Sequence, residues 1–131
     1  TPYTYDVETI VRIYNAANLF VLPSISENLP NTIMEALACG IPCLGFRIGG
    51  IPEMIDHERN GYVAAAKDAE DLSAGLHYLL DLADPDQLSQ AAREKVLRDY
   101  SFTAVGQHYL SVYQQALDAT ARHDSPEISR L

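Results

Sequence analysis

Residues 19–46 constrain the fold more than any other part of the chain, because they alternate a strand pattern with a helix pattern. An apolar run at 19–22 is followed by a polar loop and by a largely apolar helical stretch that ends at Gly40-Ile41-Pro42. A glycine followed closely by a proline stops a helix. The second apolar run, Cys43–Phe46, then completes a strand–helix–strand unit, which predicts parallel strands with a helix packed across them.

The rest of the chain continues this alternation. Asp6, Asp68 and Asp84 each stand just before apolar residues at helical spacing, so each marks the start of a helix. Asn60-Gly61 is a strong turn signal before a third short apolar run. The sequence therefore predicts an α/β fold, a Rossmann-like parallel sheet with flanking helices, and the first helix is expected to pack against the sheet. Helices are predicted at 6–17, 31–39, from 68, at 84–99 and from 101, a helical turn at 51–55, and strands at 19–22, 43–46 and 62–65.

Composition and charge exclude several classes of function. The chain has 131 residues, of which 47% are apolar, so it can bury a core and is not expected to be disordered. Its formal net charge is −9, with nine basic residues scattered among eighteen acidic ones. No basic stripe is therefore available for a nucleic acid. No run of eighteen apolar residues occurs, so no transmembrane helix is predicted.

The two cysteines point to core packing. Cys39 and Cys43 have C-x3-C spacing with no histidine nearby, so we do not expect them to bind zinc. Each lies at one end of an apolar stretch, which favours reduced, buried thiols and a cytoplasmic protein.

Two carboxylates flank the predicted start of the second helix. Glu27 lies in the loop before it, and Glu35 lies one turn inside it. Asn31 is the expected N-cap, and a helix N-terminus attracts phosphate through its unpaired N–H groups. A carboxylate at Glu35 could accept two hydroxyl hydrogen bonds, as a ribose diol offers, and on a helix predicted to be buried it needs a partner or a ligand. The alternative is that Glu35 is a first-turn acid favoured by the helix dipole and Glu27 a solvated loop residue.

The wider motif resembles a known family, the group 1 (family 4) retaining glycosyltransferases of the GT-B fold. The resemblance runs from about residue 5 to 80 and matches the C-terminal nucleotide-sugar-binding domain of that family. The matching residues are A-N-L-F-V-L-P-S at 17–24, the E-x7-E pair Glu27 and Glu35, A-L-A-C-G-I-P at 36–42, G-G-I-P-E-M-I at 49–55 and N-G-Y at 60–62.

The resemblance implies a role for each site residue. Glu35 would bind the ribose hydroxyls of a nucleotide sugar, and Glu27 would be the catalytic residue, at the transferred sugar, either as nucleophile or as orienting group. The backbone N–H groups of Asn31 and Thr32 would meet the diphosphate. The loop Asn28-Leu29-Pro30 would border the sugar. Many members have Gly-Phe-Gly there, and Pro30 lacks an N–H donor, so the identity of the donor sugar stays open.

At the level of the whole protein, the resemblance implies a hexosyl-type transferase. It would move a sugar from a nucleotide-diphosphate-sugar to an acceptor with retention, in bacterial polysaccharide or surface glycan synthesis. No bound metal is expected. Residues 1–121 would form part of the domain and 122–131 a flexible tail, with the upstream strands and an N-terminal acceptor-binding domain missing. The full-length enzyme would be cytoplasmic, peripheral to the inner membrane.

The sequence also leaves open a function from a different class. The chain could be a catalytically inactive nucleotide-binding or protein-interaction module, in which an exposed sheet edge would promote self-association.

Overall fold

A computed structural model of the protein describes residues 6–82 and 84–123. Its three strands form one parallel sheet in the order β1-β2-β3, with Leu22 opposite Gly45 and Phe46 opposite Ala64. Helices flank the sheet, so the predicted α/β fold is confirmed. The elements are α1 Val7–Asn15, β1 Phe20–Leu22, α2 Asn31–Ala38, β2 Cys43–Phe46, α3 Ile51–Met54, β3 Gly61–Ala64, α4 Ala69–Leu80, α5 Pro85–Asp99 and α6 Phe102–His123.

Three helices begin as the sequence predicts, because an aspartate caps each of them. The Asp6 carboxylate accepts a hydrogen bond from the Thr9 N–H at 2.9 Å. Asp68 caps α4 by accepting from the N–H groups of residues 70 and 71 at 3.0 Å. Asp84 caps α5 by accepting from the N–H of residue 86 at 3.2 Å. These bonds join residues two or three apart, so they are readable from local sequence.

The predicted cap of α2 is wrong. Asn31 is the first residue of the helix, and Pro30 occupies the N-cap position with φ −72° and ψ 116°. The ring of Pro30 fixes φ in this extended range, so the chain turns into the helix one residue earlier than expected. No side chain caps α2.

The core lies on both faces of β2, whose four residues are all buried. One cluster packs α2, α3 and α5 against the sheet, and the other packs α4 and the start of α5 against Leu44. Burial of this apolar area is the main force that holds the layers together. The largest fully buried side chains of the first cluster are Ile33, Leu37, Ile51, Met54 and Ile55; the second contains Leu44, Leu79 and Leu88.

Helix α1 packs against the sheet less extensively than predicted. None of its side chains is buried, and Val7 and Ile13 are largely exposed. Its contact with the sheet is an edge-to-face packing of Tyr14 on Phe20, with ring centroids 5.8 Å apart. The amphipathic pattern of α1 was correctly identified as helical, but the pattern does not say which surface covers it.

The largely buried side chain of Lys95 forms ion pairs with two aspartates at the edge of the core. The Lys95 side chain is only 10% exposed, and its Nζ lies 2.9 Å from Asp56 and 3.2 Å from Asp99. Burial lowers the pKa of Lys95, but the hydrogen bonds and charges of the two aspartates outweigh it, so the pKa is raised overall. Lys95 therefore stays charged and ties α5 to the segment after α3.

Both cysteines are free thiols: Cys43 is buried and Cys39 is half-buried. Burial raises the pKa of the Cys43 thiol, so it is an inert core group. Within the part of the chain that the structure describes, no helix combines the length and apolarity needed to cross a membrane. Helix α6 continues to His123, and the remainder of the predicted tail lies outside the described residues.

Candidate functional site

The candidate site lies at the carboxyl edge of the sheet. In a parallel sheet the carboxyl ends of all strands meet at one edge, and ligands bind there in open α/β folds. β1 ends at Leu22, β2 at Phe46 and β3 at Ala64, and the register places these ends side by side. The loop that contains Glu27 and the turn that contains Gly49-Gly50 therefore leave the same edge.

Backbone contact locks these two loops together. The Gly50 N–H donates a hydrogen bond to the Asn28 carbonyl at 2.5 Å. Gly49 has φ +54°, and a Cβ added to it would lie 2.0 Å from the carbonyl oxygen of Glu27. A Cβ on Gly50 would lie 2.5 Å from the carbonyl oxygen of Asn28. Only glycine allows this approach, so the glycine pair fixes the backbone on which Glu27 is carried.

The start of α2 presents two backbone donors. The Pro30 carbonyl accepts from the N–H groups of Ile33 at 3.1 Å and Met34 at 3.5 Å. Across residues 6–82 and 84–123, no acceptor is found for the N–H groups of Asn31 and Thr32, whose side chains are exposed. These donors and the positive end of the helix dipole together suit an anion such as a phosphate.

Glu27 lies in the loop that leads into α2, four residues before Asn31. The residue is half-buried, and among the described residues its side chain makes no hydrogen bond or ion pair. Asn28 and Leu29, which follow it, are exposed, whereas Pro30 is buried. A carboxylate held on a locked backbone but free at its oxygens can accept hydrogen bonds from a ligand.

Glu35 is exposed, so the prediction that α2 is buried nearly all round is wrong. Helix α2 buries Ile33, Ala36 and Leu37 on its core face, and Glu35 points away from that face. The carboxylate does have a partner: Oε2 accepts a hydrogen bond from the Tyr14 hydroxyl at 3.0 Å.

Tyr14 is a site residue that sequence reasoning missed. Its hydroxyl lies 3.0 Å from Glu35 Oε2 and 3.3 Å from the Thr32 carbonyl oxygen, both on α2. Burial and the hydrogen bond to Glu35 raise the pKa of Tyr14, so the phenol stays protonated and donates. The only signal in the sequence is a tyrosine on the apolar side of α1, and its partner Glu35 lies 21 residues away in the chain.

Glu35 also borders a small apolar cleft of about 190 Å³ between α1 and α2. One oxygen of its carboxylate is engaged by Tyr14, and the other has no partner in the described ranges. The cleft is lined by Val7, Ile10, Val11, Tyr14, Glu35, Ala38 and Cys39.

A third loop at this edge is held by Asp71. Its carboxylate accepts from the Ala65 N–H at 2.6 Å and from the Tyr62 hydroxyl at 2.8 Å. The backbone hydrogen bond from Ala65, followed by that from Tyr62, lowers the pKa of Asp71, so it remains a carboxylate acceptor. Asp71 thus fixes the path of the chain after β3. No group of three or more His, Cys, Asp or Glu side chains that could hold a metal ion occurs in the described part of the molecule.

Comparison with known proteins gives the family. The family model described as "Glycosyl transferases group 1" matches residues 2–95. The amylovoran biosynthesis glycosyltransferase AmsK of Erwinia amylovora is 37% identical over 101 residues, which cover 72% of this chain and 25% of AmsK.

Two solved structures are similar in fold. Sucrose-phosphate synthase from Thermosynechococcus elongatus superposes with a TM-score of 0.74 at 29% identity, covering 90% of this chain and 30% of that one. Alr3699/HepE from Anabaena, solved in complex with UDP, gives a TM-score of 0.71 at 18% identity, covering 79% and 29%; at that identity the likeness is one of fold alone. The chain spans between a quarter and a third of the length of curated relatives such as AmsK.

Proposed function

The chain belongs to the group 1 glycosyl transferases, proteins of the GT-B fold, and on that premise we propose that it forms part of the donor site of a retaining glycosyltransferase. The full-length protein would transfer a hexosyl group from a nucleotide-diphosphate-sugar to an acceptor. The role of AmsK in amylovoran biosynthesis supports a place in polysaccharide synthesis, and the UDP complex of Alr3699/HepE supports a nucleotide as ligand.

The observation that carries the proposal is the start of α2. Two backbone N–H groups without acceptors among the described residues, those of Asn31 and Thr32, lie between Glu27 and Glu35 in the sequence, on the helix that follows β1. The donor diphosphate would bind at these N–H groups. As the bond to the sugar breaks, the leaving diphosphate gains negative charge, and the same fixed dipoles stabilise it more strongly than in the ground state.

The two carboxylates take different roles in this proposal. Glu35 would accept hydrogen bonds from the ribose hydroxyls, which identify the nucleotide. Glu27 would orient the transferred sugar through its hydroxyls, while Asn28 and Leu29 border the sugar. Leaving-group stabilisation is the main catalytic contribution, and no bound metal is required.

Nucleotide binding by the full-length protein tests the proposal. UDP, GDP and ADP are titrated by calorimetry into the wild type and into Glu35→Ala, Glu27→Ala and Glu94→Ala. Glu94 is a matched control, because it is an exposed helical glutamate on α5 whose partner is Gln90. Glu35→Ala removes two hydrogen bonds at an exposed carboxylate, each with a net value of about 1 kcal/mol, and should weaken nucleotide binding about ten- to a hundredfold.

The two site variants should separate binding from turnover. Glu27→Ala should leave nucleotide affinity near that of the wild type and lower kcat for sugar transfer, measured as release of the nucleoside diphosphate, with and without EDTA. Glu94→Ala should change neither quantity. If Glu27→Ala and Glu35→Ala both behave like Glu94→Ala, the site assignment is wrong.

A second candidate function, an interaction module, is favoured by the open sheet. Within the described ranges β1 pairs on one side only, and its Val21 is exposed, whereas the outer side of β3 carries only an isolated bridge between His57 and Gly61. Unpaired strand edges of this kind recruit another chain. Concentration-dependent self-association in sedimentation velocity, together with no binding of any of the three nucleotides, would support this function over the transferase.

A further inference from the structure

Helix α1 is hydrogen-bonded to the first two turns of α2 through one side chain, that of Tyr14. It lies in the last turn of α1, and its ring packs edge-on against Phe20, with an interplanar angle of 68°. Among the described residues, the Tyr14 hydroxyl makes the only side-chain hydrogen bonds that join α1 to α2. Its ring is thus fixed by apolar packing, and its polar tip is aimed at the first two turns of α2.

Both acceptors of the Tyr14 hydroxyl lie in the first two turns of α2, close in sequence to the N–H groups of Asn31 and Thr32. One is Oε2 of Glu35, at 3.0 Å, and the other is the carbonyl oxygen of Thr32, at 3.3 Å. Glu35 is exposed, and an exposed glutamate otherwise samples many rotamers. A fixed donor on one oxygen restricts that freedom and leaves the other oxygen to face a ligand.

We propose that Tyr14 is a positioning residue that presents the Glu35 carboxylate to the ribose hydroxyls of the nucleotide. This inference rests on the proposed function. In it, Tyr14 does not touch the nucleotide; it acts through Glu35. Preorganisation of this kind raises affinity because the ordering of the side chain is completed before the ligand arrives.

The proposal predicts a specific defect in Tyr14→Phe. The phenylalanine keeps the ring contact with Phe20 and removes only the hydroxyl. The variant should bind UDP about three- to tenfold more weakly, the range expected for the net contribution of one hydrogen bond at an exposed carboxylate. The donor KM should rise while kcat changes little, because the ribose contact is the same in the ground and transition states.

The closing experiment measures the affinities of the full-length protein for UDP and for 2′-deoxy-UDP and takes their ratio. If the wild type binds GDP or ADP more tightly, that nucleotide and its 2′-deoxy form are used instead. The ratio reports on the hydroxyl contact and does not depend on the folded fraction of a variant. Tyr100→Phe is the matched control, since the Tyr100 hydroxyl also donates a hydrogen bond between two segments, to the carbonyl oxygen of Glu53 at 3.4 Å. The wild type and Tyr100→Phe should prefer the ribonucleotide equally, and Tyr14→Phe should lose part of that preference.

Two failures are distinguishable. If Glu35→Ala abolishes the preference and Tyr14→Phe retains all of it, the inference about Tyr14 is overturned while the proposed function stands. If Glu35→Ala itself retains the preference, the ribose contact is wrongly assigned, and both the proposed donor site and the role of Tyr14 are overturned.

Discussion

Replacement of Gly49 by alanine should unlock the loop that carries Glu27. At φ +54°, alanine is strained by about 1 kcal/mol relative to glycine. The new Cβ would lie 2.0 Å from the carbonyl oxygen of Glu27, whereas ordinary contacts lie at 3.4–4 Å. The two loops must therefore move apart by more than 1 Å.

The movement also breaks a hydrogen bond. The Gly50 N–H donates to the Asn28 carbonyl at 2.5 Å, and its loss costs about 1 kcal/mol. Together with the backbone strain and the lost packing, Gly49→Ala should lower the free energy of unfolding by about 3 kcal/mol. Because the displaced backbone carries Glu27, the variant should also lower kcat for sugar transfer.

Urea unfolding followed by circular dichroism measures the first effect. Gly106→Ala is the matched control, because Gly106 lies within α6 and a Cβ there would meet nothing within 4 Å. That substitution should stabilise the protein by up to about 1 kcal/mol through helix propensity. If Gly49→Ala is as stable as the wild type, the contact between the two loops does not have the geometry described, and the reasoning is refuted.

Two further predictions concern the ion pair of α5. Lys95→Ala removes the buried cation of Asp56 and Asp99, which keep their ion pairs with the more exposed Arg98, and should lower the free energy of unfolding by about 2 kcal/mol in urea; an unchanged midpoint would contradict a structural role. The hydrogen bond from Arg98 lowers the pKa of Asp99, an effect reinforced by Lys95, against burial, which raises it. Because the pKa of Asp99 is lower in the folded protein than in the unfolded chain, its ionisation stabilises the fold at pH values above the unfolded pKa of roughly 4. This stabilisation is lost as the pH falls from there through the folded pKa. Asp99→Asn should therefore flatten the dependence of stability on pH between about 5 and 3, and an unaltered acid profile would argue against the assignment.

Much of the fold was predictable because its signals are local. The caps at Asp6, Asp68 and Asp84 join residues two or three apart, and the alternation of apolar runs with helical periodicity specified parallel strands. The local prediction failed at α2, where the fixed φ of Pro30 moved the cap away from Asn31. The identities of Glu27 and Glu35 as candidate site residues came from their spacing and from the motif around them.

The sequence by itself determined the α/β fold, the family and the two carboxylates of the candidate site, because each depends on residues close together in the chain. Only the tertiary structure decided how those carboxylates are held. The exposed position of Glu35, its bond to Tyr14 across 21 residues and the docking of Gly49 on Glu27 depend on which surfaces meet once the sheet has formed. A pattern within one helix specifies an apolar face, but the partner of that face is set by packing between segments distant in sequence.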